Sequence, residues 1–140
     1  MVGKCIDQIQ IGDSASFQKT ISETDVYLYA GITGDINPAH INEVAAQESM
    51  FQGRIAHGML TAGLVSAVLG VHLPGPGTIY LGQELKFTAP VYFGDTVKAE
   101  VTVLEINLER NQVKLETICT NQHSKMVLKG IATVMPPKCV

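Results

Sequence analysis

The chain has 140 residues, 46% of them hydrophobic, and a formal net charge of −3. That is enough for one domain with a real core and too little for two. With no Lys/Arg cluster and no basic-aromatic stretch, the composition argues against a nucleic-acid surface. Cys5, Cys119 and Cys139 are odd in number, far apart and without a CxxC pair, so the spacing signals neither a disulfide framework nor a zinc ribbon. A reducing cytoplasm fits that usage, and the first residues, MVGKCIDQIQIGD, contain no apolar run of the secretory kind.

In chain order, Ser14 to Ile21 alternates Ala15, Phe17 and Lys19 against Ser14, Ser16 and Gln18, a strand pattern. Ser22 then offers an N-cap with Glu23 and Asp25 in the first turn. Val26, Tyr29, Ala30 and Thr33 repeat at helical spacing until Gly34 stops the helix. Gly34 to His40, GDINPAH, reads as a loop with Asn37-Pro38 as its turn. Asn42 caps a short helix from Glu43 to about Glu48. Ser49 to Ala56 is a connection.

His57 to Val71, HGMLTAGLVSAVLGV, is apolar on every side, the mark of a buried helix. Lacking the ~20 apolar residues a bilayer span needs, it reads as the core helix of a water-soluble domain. Its small residues Gly58, Ala62, Gly63, Ser66, Ala67 and Gly70 recur at steps of three and four. That side is open to close approach by a strand, a second helix or a thin ligand such as an acyl chain. LPGPG, Leu73 to Gly77, ends the helix.

The period then changes to two. Thr78 to Phe87 puts Ile79, Leu81, Leu85 and Phe87 on one face. After Pro90 and a Gly94-Asp95 turn come Val97, Ala99, Val101 and Val103, then Val113, Leu115, Thr117 and Cys119, and finally Met126, Leu128, Gly130, Ala132 and Val134. Arg110-Asn111 and Gln122 to Ser124 are the hairpin turns. Residues 1–140 thus form one α+β domain, an antiparallel sheet wrapped on a buried helix. Its sheet edges need cover, which a homodimer supplies.

Asp35 and His40 lie on one loop across an Asn-Pro turn, placed to converge on one water as a general acid/base pair. The bland alternatives are a turn-forming Asp and a packed histidine. His72 and His123 have no partner motif and read as structural or solvated, and Cys119 as a core residue. Arg54, Lys86 and Lys98 are treated as solvated charges.

YAGITGDINPAH (29–40), followed by Ala46, resembles the signature of the MaoC-like (R)-specific enoyl-CoA hydratases. The resemblance continues in GRIAHGM (53–59), LPGPGTIYLGQELKF (73–87) and PVYFGD (90–95). Ala39 departs from it where the signature carries a larger aliphatic residue. The resemblance implies a single hotdog fold and reversible syn addition of water to a trans-2-enoyl-CoA, giving an (R)-3-hydroxyacyl-CoA. It implies no metal and no redox cofactor, coenzyme A being part of the substrate.

The family's catalytic Asp and His then fall on Asp35 and His40, and Ser66 corresponds to a serine of the family's site. The Gly58 amide, free at the start of the core helix, is the expected oxyanion donor. His57 is a supporting neighbour or a packing residue, and Asn37 fixes the loop near the water. Three other readings stay open: an acyl-carrier-protein dehydratase of the same chemistry, an acyl-CoA thioesterase, and a silent acyl-CoA-binding subunit.

Overall fold

The computed structural model describes all of residues 1–140. Five strands, β1 (Ser14–Thr20), β2 (Ile79–Phe87), β3 (Thr96–Asn107), β4 (Gln112–Thr120) and β5 (Met126–Met135), form one sheet in the order β1-β3-β4-β5-β2. Every pairing is antiparallel. Four helices, α1 (Glu23–Thr33), α2 (Pro38–Ile41), α3 (Glu43–Gln47) and α4 (Gly58–Val71), lie between β1 and β2 in the chain. The sheet wraps α4 in the hotdog arrangement, and no helix is long and apolar enough to cross a membrane.

In β3, β4 and β5 the alternation read from the sequence is the inner face of that sheet, whereas in β2 an irregularity at Leu81 breaks it and leaves Ile79, Leu81 and Phe87 exposed. Val97, Ala99, Val101 and Val103 of β3, Val113, Leu115 and Cys119 of β4, and Leu128, Ala132 and Val134 of β5 are all buried. They close on Leu64, Val65, Val68 and Leu69 of α4. Full burial of each Val or Leu there stabilises the fold by roughly 1.5–3 kcal/mol. Burial also pushes the Cys119 thiol up to about 12, so it is an inert core group.

Three expectations need correction. First, α4 is not buried all round: Met59, Gly63, Ser66, Gly70 and Val71 are exposed. A Cβ added at Gly63 or Gly70 would meet nothing within 4 Å, so the small-residue side is open and not tightly packed. Apolar character on all sides shows what a helix avoids, not what covers it. Second, Cys5 and Cys139 are joined in a disulfide across a sequence separation of 134. Spacing rules do not register it because the fold, not the local chain, brings the two ends together. Third, the expected loop is half helical, since Pro38–Ile41 forms α2 with Pro38 in its first turn.

Candidate active site

The site is assembled by α1, the turn after it, α2 and the segment that returns to α4. α1 is held at its start by a capping box, the Ser22 hydroxyl accepting from Asp25 N–H and the Asp25 carboxylate accepting from Ser22 N–H. The bond from Ser22 N–H foremost, with the Lys19 ammonium at 3.0 Å, holds the Asp25 carboxyl below its ordinary value. α1 ends at Gly34, whose φ of 79° is left-handed and suits glycine. The turn delivers Asp35. Asn37 then caps α2, its side-chain oxygen accepting from Ala39 N–H at 3.1 Å, and His40 follows one turn on.

The returning segment 49–57 is clasped by Arg54. Its guanidinium donates to Glu43 at 2.7 Å, to Glu23 at 2.8 Å and to the Tyr27 hydroxyl at 2.7 Å, and it lies over the Phe93 ring. Partial burial works against its charge, but the bonds to Glu43, Glu23 and Tyr27 outweigh it and raise its pKa. Arg54 is thus not a free solvated charge. It ties α1 and α3 to the strand of chain that ends at His57. Lys98 pairs with Glu100 at 3.3 Å on the outer face of the sheet.

These elements bring a carboxylate oxygen of Asp35 and one ring nitrogen from each of His40 and His57 within 4.8 Å of one another. His40 Nδ1 lies 2.7 Å from the Ile55 carbonyl, and His57 Nε2 lies 2.9 Å from the Asp35 carbonyl. A carbonyl oxygen only accepts, so each of those nitrogens carries the proton. In the neutral rings, His40 Nε2 and His57 Nδ1 are therefore bare acceptors. The two rings lie with centroids 3.9 Å apart and planes tilted by 30°, and the Tyr29 ring packs against His57 at 4.6 Å.

A carboxylate and two imidazoles also make up a transition-metal donor set. The same three groups can also take up, hold and pass a proton.

Asp35, His40, His57 and Gly58 all line one cavity of about 430 Å³, whose other wall is Phe87, Pro90, Val91 and Val127. Gly58 is the first residue of α4, so its N–H has no partner in the helix, and no other acceptor takes it. Close approach explains the glycine there: an added Cβ would lie 2.7 Å from the Phe87 ring. Asn37 is exposed and engaged with the α2 backbone, outside the cavity wall. Ser66 also lies outside it, in a separate depression with Tyr80, Leu81, Gln83 and Leu85.

Thr61 was not singled out from the sequence. It is 2% exposed, lines the dyad cavity, and its hydroxyl has no hydrogen-bond partner. His57 Nδ1 is likewise buried and unpaired. Thr61 and Ser66 are the only side-chain hydroxyls of α4, and that is the available signal, because a hydroxyl facing only core would be costly.

Residues 8–125 match the family model described as MaoC like domain. The chain is 56% identical over 131 residues to a protein of Rhodospirillum rubrum named (R)-specific enoyl-CoA hydratase, covering 94% of this chain and 90% of that one. It is 46% identical to one of Methylorubrum extorquens named 3-hydroxybutyryl-CoA dehydratase, covering 94% and 83%. The solved structure of unliganded R-hydratase PhaJ1 from Pseudomonas aeruginosa superposes with a TM-score of 0.92 at 42% identity, over 98% of this chain and 88% of that one. With the family model matched over residues 8–125 and relatives at 56% and 46% identity, the chain belongs to the MaoC-like domain family.

Proposed function

We propose that the protein is an (R)-specific enoyl-CoA hydratase, a hydro-lyase that adds water to a trans-2-enoyl thioester and removes it again. The observation that carries this reading is the convergence of Asp35 and His40 in a cavity beside the unpaired Gly58 amide. In this reading Asp35 takes one proton from water, while bare His40 Nε2 accepts a hydrogen bond from the O–H that stays on the oxygen and so orients it toward C3. The C3–O bond forms as the C2–C3 π pair shifts toward the carbonyl, and negative charge gathers on the thioester oxygen. Gly58 N–H receives that charge, aided by the positive end of α4. The proton held by the pair is then delivered to C2 from the same face, giving syn addition.

His57 supports the reaction by holding the Asp35 carbonyl and one face of the His40 ring. Ser66 has no part in it within a single chain. The reading calls for no metal or redox cofactor. Coenzyme A is the carrier we favour over an acyl carrier protein, because the relatives at 56% and 46% identity are named for coenzyme A thioesters.

The same reading includes a homodimer. β2 ends the sheet with an unpaired edge. Ile79, Leu81 and Phe87 of β2 are exposed there, near the open Met59, Gly63 and Ser66 side of α4. A second copy paired edge to edge would cover both. We place the activity in the cytoplasm, on the low cysteine count, which leaves the Cys5–Cys139 bond exposed to cellular thiols.

The test is loss of enoyl absorbance with crotonyl-CoA, then chiral analysis of the product, with light scattering for the dimer. The expected product is (R)-3-hydroxybutyryl-CoA. No turnover at any chain length would overturn the hydratase, release of free coenzyme A would point to a thioesterase, and a monomer at working concentration would remove the dimer.

A further inference from the structure

We propose that the Cys5–Cys139 bond is a thiol-exchange site of the folded protein, entered at Cys139 by a small thiol of the glutathione class. The two sulfurs sit in unlike surroundings. Cys5 is 9% exposed and part of a fixed segment: Lys4 N–H donates to the Pro74 carbonyl, Cys5 N–H to the Gln8 side chain, and Ile9 enters the core. Cys139 is exposed, next to last in the chain, between exposed Lys138 and Val140. Before it, the tail is held by the Asn111 amide, which donates to the Pro136 carbonyl, and by Pro137 beside Gly77, and Cys139 Sγ itself lies 3.5 Å from the Asp7 carboxylate.

Exchange requires a thiolate to reach a sulfur in line with the bond it breaks, so access decides which sulfur is attacked. An incoming thiolate bonds to Cys139 Sγ, the bond to Cys5 Sγ breaks, and the electron pair leaves on Cys5, which takes up a proton. A second small thiolate attacks the sulfur of the first, expelling Cys139 as thiolate and leaving a small-molecule disulfide. Two electrons pass from two small thiols to one protein disulfide. The same steps reversed, with the small disulfide as oxidant, close the bond.

Reopening frees only the residues beyond Pro137, while Cys5 stays in place by its backbone bonds, so the thiols remain within short reach and the bond re-forms readily. Cys119, fully buried, takes no part. Neither Cys5 nor Cys139 lines the dyad cavity, so this inference does not rest on the hydratase reading.

The experiment uses the full chain equilibrated with reduced and oxidised glutathione, quenched with acid and read by intact mass and peptide mapping. With oxidised glutathione, the expected protein is lighter than the reduced one by two hydrogen atoms, and the bond maps to Cys5 and Cys139. The Cys5→Ser chain, which cannot close the bond, is expected to carry glutathione on Cys139. The Cys139→Ser chain should take about tenfold less, or lower still, on Cys5 over the same time. Two free thiols after oxidised glutathione would overturn the site. Equal adduct on Cys5 and Cys139 in the two variants would overturn entry at Cys139. A matching circular-dichroism spectrum and melting curve for both variants ensures that folded chains are being compared.

Discussion

Replacing Gly58 with Ala tests the Gly58 amide as the oxyanion donor. The added Cβ would lie 2.7 Å from Phe87 Cε1, 2.9 Å from Cδ1 and 3.1 Å from Cζ. Ordinary contact begins at 3.4 Å, so ring or helix start must give way by roughly 0.7 Å. Ring and helix start share that shift, so the Gly58 amide is displaced while the fold loses only about 1 kcal/mol, the low end for overpacking.

Catalysis is less tolerant, because a misplacement near 1 Å costs about a hundredfold in rate. That is about 2.7 kcal/mol of transition-state stabilisation. The expected result is a kcat/KM for crotonyl-CoA about a hundredfold down, with a melting temperature within a few degrees of wild type. In a Phe87→Ala background the collision is gone, so Gly58→Ala should then cost far less, a coupling that a double-mutant cycle measures directly. Wild-type rates for the single variant, or an undiminished loss in the Phe87→Ala background, would refute the reasoning.

Asp35→Asn and His40→Gln should each lower turnover about a hundredfold or more with an unchanged circular-dichroism spectrum, and near-normal rates in either would remove that residue from the chemistry. Thr61→Val trades a buried, unpaired hydroxyl for a methyl group, so thermal unfolding should show no loss and up to about 1 kcal/mol of gain; a clear drop in melting temperature would mean that the hydroxyl has a partner in solution. The Arg54 hydrogen bond holds the Glu23 carboxyl below its ordinary 4.5, and bonds from Gln47 and Arg54 do the same for Glu43. Carboxyls lowered in the folded state add stability above the unfolded-chain value and lose it as pH falls through the folded one. The urea midpoint should therefore fall from about pH 5 toward about pH 3, and fall less steeply in Arg54→Met; equal slopes in the two proteins would show that the clasp contributes nothing.

Much of the molecule was legible in the chain because its causes are local. Gly34 needs the left-handed turn it occupies, Ser22 and Asp25 cap the helix they begin, and alternation from Val97 to Val134 marks the one face that meets α4. Asp35 and His40 are close in sequence, so a single capped turn brings them together, and motif reading reaches them.

Other features depend on partners far away in sequence. The tautomers of His40 and His57 are set by the Ile55 and Asp35 carbonyls, 15 and 22 residues away, and Arg54 reaches 31 residues back to Glu23. The open face of α4, the placement of Ser66 outside the cavity, the orphaned Thr61 hydroxyl and the union of Cys5 with Cys139 follow from how the layers close. Composition and periodicity state which surfaces avoid water. Only the closed chain decides which atoms meet, because hydrogen bonds and ring contacts require distances of a few ångströms that no sequence interval encodes.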